Sequence, residues 1–263
     1  VSAERLHALS DRLSERDQAI IQTINGFGFM TTRQLQTVHF AHHETAQAAA
    51  RICRRVLQRL AEHRLVEAVD RRVGGLLAGS DVTIWRVGVV GDRWLRLSSS
   101  TPRTRFKQPS ARFLDHRLMV AGCYTALIAR THAGQLELIS AVAEPDSWRP
   151  YLGPGGTPDT LKPDLYAVTA SGDFEDHWFI EIDRATESVP TVLKKCRQYE
   201  RYRRTGREQQ RLGLFPRVVW VVPDQQRADQ LTRAISASSE LDTALHRVTV
   251  MVDFVDLIVG GAA

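Results

Sequence analysis

Between Lys162 and Arg184 the chain reads KPDLYAVTASGDFEDHWFIEIDR, two apolar strand-like segments around a polar turn. Side chains on a strand alternate faces with period two. Glu181 and Asp183 therefore share a face, with Ile182 turned to the opposite layer. If the segments pair as a hairpin, Asp164, just after Pro163, reaches the same edge. Carboxylates converging beside a buried sheet suit a divalent cation held by oxygen ligands.

The N-terminal part reads as helices and then a β-ribbon. After a short helical lead, Ser14 precedes ERDQAIIQTI, and Asp17 three residues on completes an approximate capping box. Ile20, Ile21 and Ile24 make the buried face, and the Gly26/Gly28 pair ends the helix. Thr31 or Thr32 caps TRQLQTVHF. A longer helix spans about 44–63, with Ala49, Cys53, Val56 and Leu60 buried. Its other face carries Gln47, Arg51, Arg54, Arg55 and Gln58. LVEAVDRRV and DVTIWRVG follow as two strands around a Gly-rich tip. This order is that of a winged helix-turn-helix, whose third helix enters the major groove of double-stranded DNA while the wing touches the backbone. The five polar residues of the third helix are the candidate DNA contacts, with Arg71 and Arg72 on the wing. A solvated Arg-rich face, or a winged helix that binds protein, gives the same pattern.

Residues 98–110, SSSTPRTRFKQPS, read as a linker. Three parts follow from this: a DNA-binding domain over 1–97, the linker, and a second domain over 111–263. In the second domain RFLDHRLMVAGCYTALIARTH reads as an amphipathic helix and LELISAVAE as a strand. RPYLGPGGTPDT has no regular pattern. After the carboxylate hairpin come a helix over TVLKKCRQYERYRR, a doubly buried strand RVVWVVPD, a helix over about 226–238, and a last strand RVTVMVDFVDL. Helical rotation groups Val192, Leu193, Cys196, Tyr199 and Tyr202 on a buried side, with Lys195 at its edge and Lys194 pointing away.

Pro-Asp, a hairpin, Glu-x-Asp and then a helix with basic residues resembles the PD-(D/E)xK nuclease superfamily. The longer run PDLYAVTASGDFEDHWFIEIDRATES…LKKCRQYERY is more similar to the replication-relaxation family of bacterial plasmids and mobile elements, which also begins with a winged helix. The resemblance implies an α/β (α+β) chain in which a restriction-endonuclease-like α-β-β-β-α-β domain with a mixed central sheet follows the winged helix. It implies Asp164 and Glu181 as metal-binding acids, the Ile182 carbonyl as a further ligand, and Mg²⁺ or Mn²⁺ as the ion. The superfamily pattern has Lys where this chain has Asp183. A carboxylate there adds a metal oxygen but no positive charge, so Lys195 is the candidate replacement. The candidate catalytic set is thus Asp164, Glu181, Asp183 and Lys195, with the three acids as metal ligands. Double-stranded DNA, replication or mobilisation proteins, and a second copy of the chain are the implied partners.

Composition narrows the alternatives. The chain has 263 residues, is 43% hydrophobic and 25% charged, and carries a net charge of +5. That is an ordinary globular balance with a mild preference for polyanions. Cys53, Cys123 and Cys196 are far apart with no CxxC pair, so they read as buried thiols in a bacterial cytoplasm. No signal peptide and no membrane-length apolar run is visible. His39, His42 and His43 have the wrong spacing for a tyrosine relaxase, and no cysteine or acid at ligand spacing supports a zinc site there. Tyr199, Tyr202, Glu144 and His116 read as structural. The functions left are a metal-dependent DNA-nicking enzyme, a DNA-binding regulator with a degenerate nuclease domain and, more remotely, an adaptor whose winged helix contacts a protein partner.

Overall fold

Local capping chemistry sets the helices of the N-terminal half. The computed structural model describes residues 3–69, 83–97, 109–172 and 174–261. The chain divides into two units, Val1–Thr125 and Ala126–Ala263. After α1 (Ala3–Ser10), helix α2 (Glu15–Phe27) begins at the expected capping box, with Asp17 N donating to Ser14 Oγ at 3.2 Å and Ser14 N to Asp17 Oδ2 at 3.1 Å. Ile20, Ile21 and Ile24 are fully buried. Gly28, at φ +77°, ends the helix in a conformation that favours glycine. Strand β1 (Met30–Thr31) leads into α3 (Thr32–His39), which Thr31 and Gln34 cap reciprocally.

Helix α4 (Ala46–Glu62) starts at Thr45, whose hydroxyl accepts from Ala48 N. Its buried stripe is Ala49, Cys53, Leu57 and Leu60. Leu57 thus takes the central place expected of Val56, because from Cys53 both the i+3 and the i+4 positions lie near the same helix face. Strands β2 (Val66–Val69) and β3 (Ile84–Val87) complete an antiparallel sheet of order β1-β3-β2. The expected wing tip, with Arg71 and Arg72, lies outside the described residues, as does most of the expected linker. A helix that patterning did not reveal, α5 (Val89–Leu95), follows β3. It packs so closely that a Cβ on Gly91 would stand 2.1 Å from the Leu65 carbonyl oxygen.

Helix α6 (Ala111–His132) runs where the amphipathic pattern put it, and Ser110, at the end of the expected linker, accepts from Phe113 N. The unit boundary falls within this helix, between Thr125 and Ala126. Its first half belongs with the N-terminal helices. Arg117 Nε donates to Phe27 O at 2.9 Å, Gln34 Nε2 to Leu118 O at 2.9 Å, and Phe27 stacks on Tyr124.

The second unit is built on a mixed five-stranded sheet of order β10-β9-β8-β7-β4. Strand β7 (Leu165–Ser171) runs antiparallel to both β4 (Glu137–Ala143) and β8 (Phe174–Ile182), while β8, β9 (Arg217–Val222) and β10 (His246–Val250) are parallel to one another. Tyr166, Val168, Phe179, Val218, Trp220 and Val222 pack against helices α7 (Val189–Arg204) and α9 (Gln225–Ser236). The intervening residues Leu165, Ala167, Trp178, Ile180, Val219 and Val221 are buried on the other face. After Arg217 the strand, VVWVV, is apolar throughout because both of its faces are covered.

The stretch expected to be irregular is a hairpin, β5 (Arg149–Leu152) and β6 (Pro158–Leu161), turning through Gly155 and Gly156 at φ +72° and +75°. Its prolines and glycines mask strand propensity, but Tyr151 and Leu161 are buried in the α7 core and Gln198 bonds Thr160 O. The final apolar run is a strand only to Val250. Phe254, Val255 and Ile258 then bury one face of helix α10 (Phe254–Val259), a spacing of one and four that fits a helix. Helix α8 (Arg207–Leu212), between α7 and β9, was also not expected. Among the described residues this gives ten helices, none long and apolar enough to cross a membrane.

Candidate functional site

The acids of the hairpin meet at one end of the sheet. Leu165 pairs with Ile180, and continuing the antiparallel register by one residue sets Asp164 opposite Glu181. Asp164 Oδ2 accepts from Ile182 N at 2.7 Å, and Glu144 N donates to the Asp164 carbonyl at 3.2 Å, so the first acid is held from both flanks. Asp164 is 8% exposed and Glu181 only 1%. Period two puts both on the face that α7 covers, in line with Tyr166 and Phe179.

Helix α7 supplies the cation. Ser188 caps it and Pro190 sits in its first turn. From this start the helix buries Val192, Cys196, Tyr199 and Tyr202. Lys195 stands one position from that stripe, and its Nζ donates to Glu181 Oε2. Tyr199, one turn on, donates to Glu181 Oε1 at 2.5 Å. Lys194 is exposed. Burial pushes the Glu181 carboxyl up, to about 8, against the pull of Lys195 and with the Asp164 charge adding to the rise. Burial also disfavours the Lys195 ammonium, but Glu181 and Asp164 outweigh it and raise its pKa.

Asp183 shares the face of Glu181 yet has another partner. Its Oδ2 accepts from Arg227 Nε at 2.6 Å, and both side chains are buried. Oδ1 accepts from Ala185 N at 2.9 Å. Arg227 also donates to Glu187 O and Gln230 Oε1. The structure therefore brings Asp164, Glu181 and Lys195 together and commits Asp183 to the β8–α9 junction. Sequence reasoning missed two participants. Tyr199 was assigned to the core, although it lies one turn from Lys195 on the same side. Arg227 occupies the buried stripe of α9 with Ala228, Leu231 and Ile235, and a lone arginine in an apolar stripe is a signal for a buried acid partner.

On α4, Gln47, Arg51, Arg54, Arg55 and Gln58 are all exposed. Arg59, the next arginine, is instead tied to the buried Asp17 at 2.6 Å. The exposed side chains form a cationic surface opposite the stripe that packs on the N-terminal core.

These features define a mixed α/β protein of two units, with a helix-borne cationic face in the first and a buried carboxylate–lysine site on the sheet of the second. The family model described as Replication-relaxation matches residues 21–218, from α2 to β9, and the chain belongs to that family. No curated protein and no solved structure matches it.

Proposed function

We propose that the chain is a DNA-processing protein of replication or mobilisation. Its N-terminal unit reads duplex DNA as a winged helix, and its C-terminal unit nicks DNA as a PD-(D/E)xK-like nuclease with Mg²⁺ or Mn²⁺. The observation that carries this reading is the Lys195 amine on the buried Glu181 carboxylate, beside Asp164. The superfamily pattern wants a lysine where Asp183 stands, and α7 delivers one to the same acid. Family membership supports the DNA context. The element order α2-β1-α3-α4-β2-β3, with its β1-β3-β2 sheet, supports the winged helix, and makes α4 the helix for the major groove.

Adjacent carboxylates are hard oxygen donors, and the Asp164 charge adds to the burial that raises the Glu181 pKa, a repulsion that a cation would offset. The residues fit the ion. Asp164 and Glu181 would hold it, and when bound it polarises a phosphate and activates water. Lys195 contributes a fixed positive charge toward the phosphate oxygens. Tyr199 orients Glu181. Asp183 leaves the donor set, because Arg227 already holds it.

Supercoiled plasmid incubated with Mg²⁺ or Mn²⁺ tests the assignment. Open circles should form with the wild type and not with Asp164→Ala. Calorimetry with Mn²⁺ tests the ion separately: equal heats for wild type and Asp164→Ala/Glu181→Ala would remove the metal site. One observation favours a regulator without catalysis. Glu181 is satisfied by Lys195 and Tyr199, and Asp183 by Arg227, so the site balances its own charge. Binding of duplex without nicking by either metal would establish that reading.

A further inference from the structure

On the α7 face of the sheet, next to Tyr166, lies a groove of about 570 Å³. Arg149, Arg207 and Arg211 line it, with Glu208, Tyr166 and Tyr202. Arg149 opens β5, and the other two arginines lie on α8. Glu208 is 2% exposed and accepts from Arg149 Nε at 3.0 Å, Arg211 NH2 at 2.6 Å and Tyr202 OH at 2.7 Å. The Arg149 guanidinium also donates to Ser147 O and lies 4.6 Å above the Tyr166 ring. Arg207 NH1 donates to Pro150 O at 2.6 Å.

Each guanidinium is thus held in place before any ligand arrives. Glu208 and Asp146 are the acids lining the groove, against three arginines, so a positive charge is left over. Glu208 explains how Arg149 and Arg211 are ordered. It does not account for Arg207, which is exposed and bonded to a carbonyl. Ordered guanidinium forks match the oxygens of a phosphate. The volume is that of a site for a small ligand and takes a nucleotide or two, not a duplex.

We propose that this groove is a phosphate subsite that seats the backbone of a single nucleic-acid strand beside Asp164 and Glu181. The proposal rests on reading the second unit as DNA-processing. Tyr166 is two residues from Asp164 on the same face of β7, about 7 Å along the strand. One strand crossing this end of the sheet therefore meets both the arginines and the acids. The groove fixes which segment of a strand lies over the carboxylates.

The test uses the full chain in EDTA, so that nothing is cut, with a fluorescent single-stranded DNA dodecamer. Arg207→Gln should weaken binding about tenfold and reduce the salt slope by about 0.7. Hydrogen exchange should slow in the peptides of β5 and α8 when the dodecamer is added to wild type, and not with Arg207→Gln. Arg207 is exposed, so the variant should fold, and circular dichroism checks this. Unchanged affinity and slope, or no protection of β5 and α8, would overturn the subsite. Equal protection by inorganic phosphate at the same phosphate concentration would overturn the strand in favour of a free anion. If Arg207 dependence appears while wild type nicks no plasmid, the subsite stands and the nuclease reading falls.

Discussion

Lys195 and Lys194 are adjacent in sequence and differ by one step of helix rotation, about 100°. That step separates an amine on a buried carboxylate from one in solvent. Lys195→Ala should abolish plasmid nicking and leave duplex affinity within a factor of about two, while Lys194→Ala changes neither. Normal nicking by Lys195→Ala would end its catalytic assignment even in an active enzyme. A second residue prediction concerns His246. Burial lowers its pKa to about 4 from 6.5, Asp242 opposing and Arg203 assisting. Its Nε2 is buried without a hydrogen-bond partner, and Trp220 Nε1 donates to Nδ1 at 3.4 Å. The unfolded chain takes up this proton as pH falls through 6.5, and the native state resists until about 4. The His246 contribution is therefore full above pH 6.5 and falls by about 2–3 kcal/mol on the way to pH 4. Urea unfolding of wild type and His246→Gln should give a stability difference that shrinks as pH drops. A difference that stays constant would assign the titration elsewhere.

At the scale of the element, α5 depends on the approach of its backbone to the start of β2. A methyl at position 91 would overlap the Leu65 carbonyl, and backbone at both ends of that contact cannot rotate away. Gly91→Ala should cost about 1–3 kcal/mol and lower the melting temperature of the N-terminal unit by several degrees. Gly26→Ala, where an added Cβ meets nothing within 4 Å, is the matched control. A melting temperature for Gly91→Ala equal to that of Gly26→Ala would show that α5 can shift. Elements with strong periodicity and polar caps were legible in the sequence. Ser14, Thr31 and the stripe of α7 each announced a helix within a few residues of its true end. The short elements were not. Helices α5, α8 and α10 span seven residues or fewer, too few for a period to repeat, and hairpin β5–β6 owes its form to tertiary contacts with α7.

For the whole molecule, the site divides in the same way. The convergence of Asp164 and Glu181 was readable because strand alternation is local, and the inward turn of Lys195 because helical rotation is local. The Asp183–Arg227 pair, 44 residues apart, depends on how α9 docks, which no local pattern encodes. Binding by the first unit should be separable from chemistry in the second. Arg51→Ala/Arg55→Ala should reduce duplex affinity and lower the salt slope by about two, roughly 0.9 per lost phosphate contact. Asp164→Ala should leave both unchanged. An unaltered slope for the arginine variant would show that α4 is not the reader.

A lysine carried by a helix is invisible to any motif written as a string of letters. The rule "Lys two residues after Glu" rejects this chain, because position 183 has been given to an ion pair that fastens β8 to α9. On the proposed nuclease reading, the same site phrased in space accepts it: a Pro-Asp opposite a strand glutamate, and an amine one helix away on that carboxylate. For chains in which the strand lysine is missing, the α7 position corresponding to Lys195 is therefore the character to compare. If Lys195→Ala abolishes nicking, that position sorts sequences that have lost a positive charge from those that have moved it.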